Sequence, residues 1–229
     1  MAIPADIIAT VTSLRDTTHD TRVFSLRPHA DDYAFLPGQH CLVDAGLQRP
    51  RPFSFTTSPL QGPEFELAIK REGVLTDHLF TLKAGNFVHI SRPLPSRLAL
   101  RPDDTELAMV AGGTGVTPFM SIIRDAALHR LPARLRLLCA HRTAADIIFR
   151  PELEELSRAH PALTVMFTLT REQPAGWLGE HGRVDAAMLH RQFPDWQHPR
   201  FLLCGPPPMV VALRRELLAA GVPADRVAV

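Results

Sequence analysis

The chain carries two patterns of apolar and polar positions, one after the other. Up to about residue 101, apolar residues come in short runs rich in β-branched and aromatic side chains: 7–11, 21–26, 41–43, 53–56, 65–69 and 87–90. Several of these runs alternate apolar with polar, the period of a strand with one buried face. Turn residues separate them at Pro37-Gly38, Gln61-Gly62-Pro63, Ala84-Gly85-Asn86 and Arg92-Pro93. Short strands at this spacing predict an antiparallel barrel or sandwich. One helix fits among them, with Thr76 as its N-cap and Leu79 and Leu82 on one face.

From about Glu106 the period changes. A continuous apolar run at 107–111 is followed by Phe119, Ile122, Ile123, Ala126 and Ala127 at helical spacing. The alternation repeats through the run 135–140, a helix with Leu153 and Leu156, and the run 163–169. It ends with the run 201–204 and a last helix carrying Val210, Leu213 and Leu217. Apolar strands alternating with amphipathic helices predict βαβ units around a buried parallel sheet. The expected fold is therefore a two-domain β plus α/β chain, with domains at 1–101 and 102–229. Arg101-Pro102-Asp103-Asp104 is expected as the hinge or linker. No internal repeat or low-complexity stretch interrupts either half.

Composition narrows the function classes. With 229 residues, 45% hydrophobic and 21% charged, the chain has the make-up of a folded globular protein. A formal net charge of +1 argues against nucleic acid or an anionic membrane as partner. Cys41, Cys139 and Cys204 are far apart and odd in number. They make no disulfide framework and are too few for a cluster held by four thiolates. No basic segment followed by an apolar run opens the chain, and no run is long enough to span a bilayer. A reduced, cytoplasmic setting is expected, with no metal and a monomeric chain.

Three segments carry candidate chemistry. Arg51-Pro52-Phe53-Ser54 puts a cation, a ring and a hydroxyl on one extended stretch, where a flavin could use all three. Gly113-Thr114-Gly115, with Thr117 and Pro118 after it, lies between an apolar strand and a helix, the context of a dinucleotide phosphate site. Pro118 stands where a third glycine would complete the Rossmann pattern, and proline suits the first turn of a helix. A purely structural strand-to-helix turn would use the same glycines, so both readings stand open on this motif alone. The third segment, Cys204-Gly205-Pro206-Pro207-Pro208-Met209, ends a strand in cysteine and continues through a rigid turn into a helix. An inert buried cysteine is the alternative there.

The strand ends add a charge pattern. His141-Arg142-Thr143 follows the second strand, where a classical NAD site has an acidic residue for the ribose. Thr170-Arg171 ends the third, and Arg183 follows a glycine-containing loop. Arginines at strand carboxyl ends suit a 2′-phosphate through charge-assisted bidentate contacts. Taken singly, each is as readily a solvated loop charge.

The ordered set of motifs resembles the ferredoxin–NADP reductase superfamily over nearly the whole length. Arg51-Pro52-Phe53-Ser54 is similar to that family's Arg-x-Tyr-Ser/Thr flavin motif, with phenylalanine for tyrosine. Ala68-Ile69-Lys70-Arg71 and Gly73-Val74-Leu75-Thr76 resemble its pyrophosphate-binding stretch. The Gly113–Pro118 and Cys204–Met209 segments resemble its nicotinamide-domain motifs, whereas Arg92-Pro93-Leu94-Pro95-Ser96 replaces a Gly-Pro-Phe-Gly type turn. The resemblance implies a six-stranded antiparallel barrel holding FAD and a five-stranded parallel α/β domain holding NAD(P)H. It implies that Arg51 pairs with the FAD pyrophosphate, Phe53 packs on the isoalloxazine and Ser54 bonds near flavin N5. It further implies phosphate binding at Thr76, Thr114 near flavin and nicotinamide, and Cys204 near nicotinamide C4. Arg142, Arg171 and Arg183 fall where bacterial NADPH-using members carry 2′-phosphate ligands.

The implied activity is hydride transfer from NADPH, with NADH as the alternative, to FAD. Electrons then pass to a separate protein acceptor such as ferredoxin, flavodoxin or an oxygenase component. A free-flavin reductase and a non-catalytic nucleotide-binding module are the competing readings.

Overall fold

The computed structural model describes residues 6–47, 49–129 and 133–229. They form two compact units. One runs to Leu100 and takes in Thr117–Leu128; the other comprises Arg101–Val116 and His129–Val229.

The first unit is an antiparallel barrel. Its strands are β1 (Ile7–Asp16), β2 (Thr21–Pro28), β3 (His40–Asp44), β4 (Arg51–Ser54), β5 (Phe65–Lys70) and β6 (Phe87–Ile90). They hydrogen-bond in the order β4-β3-β6-β1-β2-β5. The two end strands meet just past β4, where Phe55 bridges Leu67 and the Thr56 N–H donates to the Glu66 carbonyl at 2.9 Å. The run at 53–56, expected as one strand, is thus shared between two partners. Residues 51–54 pair with β3, the Phe55 N–H still donates to the Gln39 carbonyl at 3.1 Å, and the Thr56 N–H turns to β5. Inside lie Val11, Phe24, Leu26, Val43, Leu67, Ile69, Val88 and Ile90. Phe55 is fully buried there, stacked on Phe35 at 4.1 Å between centroids and edge-on to Phe65 at 5.0 Å.

Two helices belong to this unit. Helix α1 (Val74–Leu79) is capped by Gly73, at φ 92°, and not by Thr76 as expected; Leu82 lies beyond its end. The Thr76 hydroxyl works from inside the first turn, accepting from the Glu72 N–H at 2.6 Å and donating to the Gly73 carbonyl at 3.0 Å. Helix α2 (Thr117–His129) is tied to the barrel by polar groups. Ser121 Oγ donates to the Thr57 carbonyl at 2.6 Å, and Ser58 Oγ donates to Asp125 Oδ1 at 2.6 Å. Arg124 donates to the Thr56 carbonyl at 2.9 Å and to Glu66 Oε2 at 2.8 Å.

The second unit is a parallel sheet in the order β10-β9-β8-β7-β11-β12. Its strands are β7 (Glu106–Gly112), β8 (Arg134–His141), β9 (Leu163–Leu169), β10 (Glu180–His181), β11 (Arg200–Cys204) and β12 (Val227–Ala228). Six strands replace the five that the resemblance implied. The outer pair, β10 and β12, have two residues each, too short for any hydrophobic period to register. Helices α3 (Arg150–Ala159), α4 (Ala186–Gln192) and α5 (Pro207–Ala219) complete the unit. Asp185 caps α4 by accepting from the Met188 N–H at 2.8 Å. Val110, Leu138, Phe201 and Leu203 of the sheet pack with Met188, Leu189, Leu213 and Leu217 of the helices.

Asp104 lies in the stretch expected as hinge or linker, where the division between the units falls, and its side chain is anchored within the second unit. Its carboxylate accepts from Arg200 Nε at 2.7 Å and Nη2 at 2.5 Å, and both side chains are 5% exposed. A fork-to-fork pair buried this deeply leaves an uncompensated charge when one partner is removed. Asp104→Ala should therefore lower the unfolding free energy by about 3–5 kcal/mol. Urea denaturation checks this, and the double change Asp104→Leu with Arg200→Met should recover most of the loss.

Candidate functional site

The barrel has a seam. Past the Phe55–Leu67 bridge, no strand among the described residues pairs with the outer edge of β5 at 68–70. Arg51, at the start of β4, reaches across it. Its Nη1 donates to the Glu72 carbonyl at 3.1 Å, with Nη2 3.7 Å from the Glu72 carboxylate. The guanidinium also stands 6.0 Å from the Phe53 ring centroid. Strand alternation puts Arg51 and Phe53 on one face of β4 and Pro52 and Ser54 on the other. Arg51, Phe53 and Ser54 are half-buried and Pro52 is exposed.

The pyrophosphate-like stretch lines the same seam mostly with main chain. Ile69 and Leu75 belong to the barrel core, and Ala68 is buried. Lys70 pairs with Asp20 at 2.9 Å, and Arg71 with Asp77 at 2.7 Å. The Thr76 hydroxyl is engaged within its own turn, whereas Val74 is exposed. Ala68, Ile69, Lys70, Leu75 and Thr76 can therefore serve a ligand chiefly through backbone groups. Helix α1 opens at a glycine with no side-chain cap, so its first-turn amides are left to other acceptors. A cation beside uncapped amides and a half-buried ring and hydroxyl on β4 fit a flavin dinucleotide: diphosphate at the first, ring system at the second.

In the second unit the expected residues gather at one edge. All strands are parallel, so the turn after β7, Arg142 after β8, Thr170 and Arg171 after β9, and Arg183 after β10 share the carboxyl edge with Cys204 of β11. The chain winds outward from β7 through β8, β9 and β10, then returns to β11 on the other side of β7. The switch point between β7 and β11 is where open α/β sheets bind ligands.

Two glycine-containing turns meet there. Gly113–Val116 forms a single 3-10 turn leading into α2. A Cβ on Gly115 would overlap the Cys204 carbonyl, so this close approach requires glycine. Gly113, at φ 55°, faces open space. Pro206 Cδ and Met209 Sδ cover Gly112, within 2.9 Å of where a Cβ would stand. Pro206, Pro207 and Pro208 have no N–H, and the Met209 N–H is given to the Pro206 carbonyl at 2.9 Å. The start of α5 thus presents an apolar wall, and amide donors must come from the glycine turn. Cys204 is half-buried, and burial pushes its thiol up to about 11, so it is neutral at physiological pH.

The three arginines are exposed, and none has an ion-pair partner among the described residues. Arg142 and Arg171 are adjacent: the Arg171 N–H donates to the Arg142 carbonyl at 2.9 Å, as Thr170 does to His141. Nearby acids are engaged elsewhere. Glu172 accepts from the Ala144 N–H, and Asp146 accepts from the Thr143 hydroxyl at 2.8 Å. Glu180 is paired with Arg191 at 2.9 Å, and that hydrogen bond holds its carboxyl below the usual range.

Several contributors escaped the sequence reading. The Glu72 carbonyl leaves no side-chain signature. Arg150 stands 5.3 Å over the Trp177 ring, whose N–H donates to the Glu180 carbonyl at 3.1 Å, pinning the loop before β10. Ser121, Arg124 and Asp125 are absent from the sequence reading of this helix, which rests on its apolar residues; their i, i+3, i+4 spacing is the signal that marks them as one face.

Comparison with known proteins agrees with this geometry. The family described as Oxidoreductase FAD-binding domain matches residues 8–96, and Oxidoreductase NAD-binding domain matches residues 109–215. The chain is 32% identical over 209 residues to NADH-cytochrome b5 reductase 1 of Laccaria bicolor, covering 86% of this chain and 68% of that protein. Among solved structures it resembles the Amycolatopsis cytochrome P450 reductase GcoB, with TM-score 0.85 and 30% identity, covering 97% of this chain and 68% of that one. The ferredoxin reductase in carbazole 1,9a-dioxygenase superposes with TM-score 0.83 at 27% identity, over 97% and 68% of the two chains. With barrel, parallel sheet and both family matches in agreement, the chain belongs to the ferredoxin–NADP reductase superfamily of FAD-dependent NAD(P)H oxidoreductases.

Proposed function

We propose that this flavoprotein oxidoreductase takes a hydride from NADPH at the 102–229 half, passes it to FAD at the 1–101 half, and delivers electrons to a separate protein acceptor. The observation that carries the flavin half is Arg51 lying across the seam beside the uncapped start of α1. Bound FAD supplies the hydride acceptor and the step from two-electron to one-electron transfer. The residues supply position and charge. Arg51 binds the diphosphate, Phe53 lies against the flavin ring and Ser54 donates toward N5. The backbone amides of Gly113, Thr114, Gly115 and Thr117 hold the coenzyme diphosphate, and Pro118, which has no N–H, shapes the first turn of the helix after them. Cys204, Gly205, Pro206 and Met209 form the wall that orients the nicotinamide, with Cys204 acting as a neutral, unreactive surface. Arg142, Thr170, Arg171 and Arg183 receive the adenosine end. The acceptor is a haem or iron–sulfur protein, such as a cytochrome, a ferredoxin or an oxygenase component. Relatives named for cytochrome b5, a P450 and a dioxygenase support that class. Three free cysteines and no membrane-crossing helix among the described residues support the reading of a cytoplasmic enzyme.

A second reading, NADH as the coenzyme, is favoured by the names of the relatives. The unpaired arginines and the lack of a free acid after β8 favour NADPH. The purified enzyme should show a kcat/KM for NADPH at least tenfold above that for NADH. Arg142→Ala and Arg171→Ala should each raise the KM for NADPH by about tenfold, the size of one charge-assisted contact, and leave NADH within twofold. Equal use of both coenzymes by the unmutated protein sinks the NADPH reading.

Flavin binding is tested at Arg51. The protein should purify yellow with FAD. Arg51→Ala should weaken FAD by roughly 10- to 150-fold, the equivalent of ~1.5–3 kcal/mol for a charge-assisted hydrogen bond. Fluorescence titration of the apoprotein measures this; Ser54→Ala should cost less.

Hydride transfer is tested by anaerobic stopped flow. Cys204→Ser and Ser54→Ala should slow flavin reduction by about tenfold or more while FAD stays bound, because near-attack geometry is sensitive to small displacements. Unchanged rates in both would put the reacting centre elsewhere. The Cys204 thiol, held near 11 by burial, should resist iodoacetamide at pH 8 in the folded enzyme.

A further inference from the structure

Three side chains of α2 share one face at i, i+3 and i+4, and all three are polar and buried: Ser121 is 0%, Arg124 8% and Asp125 4% exposed. Their partners are consecutive. Arg124 takes the Thr56 carbonyl, Ser121 takes the Thr57 carbonyl, and Asp125 takes the Ser58 hydroxyl. Arg124 also pairs with Glu66, whose own carbonyl receives the Thr56 N–H. Residues 56–58 are the direct continuation of Arg51-Pro52-Phe53-Ser54.

A helix needs no such groups merely to adhere. An apolar face would bury as well, without the desolvation cost of a carboxylate, a guanidinium and two hydroxyls. What directed hydrogen bonds add is a single register, since a slide of one residue would leave buried donors and acceptors unmatched. β4 has only four residues and lies at the end of the strand order, so β3 alone does not fix how Phe53 and Ser54 leave the sheet. The segment that follows does.

We propose that Ser121, Arg124 and Asp125 are positioning residues for hydride transfer, clamping residues 56–58 and so fixing the flavin-contacting Phe53 and Ser54. This rests on the flavin reading of β4 given above. The clamping helix also begins one peptide bond after the Gly113–Val116 turn, so the clamp is joined in sequence to the segment read above as holding the coenzyme. The clamp should therefore govern the rate at which coenzyme reduces flavin more than it governs flavin retention.

The test uses the full chain loaded with FAD and the variants Ser58→Ala, Asp125→Ala, Asp125→Asn and the milder Ser121→Ala. Asparagine still offers an oxygen to the Ser58 hydroxyl; alanine does not. Expected is a limiting rate of anaerobic flavin reduction by NADPH or NADH about tenfold lower in Ser58→Ala and Asp125→Ala. Coenzyme KM, FAD content and reduction by dithionite should stay within twofold of wild type, and Asp125→Asn should keep most of the wild-type rate. If Asp125→Ala does not fold, Ser121→Ala and Ser58→Ala carry the same expectation. The proposal is overturned if folded, FAD-bearing variants are reduced at wild-type rates. It is equally overturned if the rate falls only in step with FAD loss, or if asparagine is as damaging as alanine. A wild-type protein that binds no FAD overturns the flavin reading itself, and an intact wild type beside unaffected variants overturns only the clamp.

Discussion

The flavin half depends on how its barrel closes. Six strands with two free ends must join somewhere, and here they join by one bridge, Phe55 to Leu67, with the Thr56 amide beside it. The extended stretch 51–56 has two partners in succession. Residues 51–54 pair with β3, and the stretch meets β5 only at the Phe55–Leu67 bridge and the Thr56 amide. The far end of β5 is therefore left facing Arg51 across a gap, not paired to it. Phe55 makes this geometry rigid, since its buried ring lies among Phe35, Phe65 and Tyr33, with centroids 4.1, 5.0 and 6.3 Å away. Sliding β4 into register with β5 would tear that cluster open. The cleft is thus a product of core packing, and the cation at its lip is held by Glu72, through its carbonyl at 3.1 Å and its carboxylate at 3.7 Å.

The second unit solves its own problem at the point where the sheet reverses direction. The ends of β7 and β11 are adjacent, and each continues into a helix. Two chain reversals must share the space of one. Gly115 lets the first turn lie against the Cys204 carbonyl, and Gly205 lets the second return the contact to Gly112. These glycines answer to each other before they answer to any phosphate. Gly113, at φ 55°, faces open space and takes no part in that contact. Donors and apolar surface are divided between the turns: amides on the first, prolines and Met209 on the second.

Much of this was legible in the sequence because the responsible signals are local. All six barrel strands, the alternation that follows and the set of motif residues announce themselves through period and turn chemistry. What was not legible depends on partners far away in sequence. Asp104 reads as a loop acid until Arg200, 96 residues on, is beside it. Thr76 reads as a cap because threonine caps helices often, yet the preceding glycine takes the cap position and the hydroxyl closes the turn from within. β10 and β12 are too short to show a period. The apolar period of α2 marks only one of its faces, and the barrel contacts alone reveal Ser121, Arg124 and Asp125 as buried too.

The division between main-chain and side-chain chemistry explains how such a site tolerates sequence change. At the seam, Ile69 and Leu75 serve the core and Lys70 and Arg71 serve ion pairs, so a ligand meets mainly backbone there. Backbone groups survive substitution so long as the fold does. That is consistent with a fold shared at TM-score 0.85 with a reductase that is 30% identical. On the function proposed above, specificity falls to the few side chains not wholly given to the core or to an ion pair: Phe53 and Ser54 in one half, and Cys204, Arg142, Arg171 and Arg183 in the other. Phe53 makes the point sharply. Where the family motif has tyrosine, this chain offers a ring without a hydroxyl, so contact at that position is by face and shape alone.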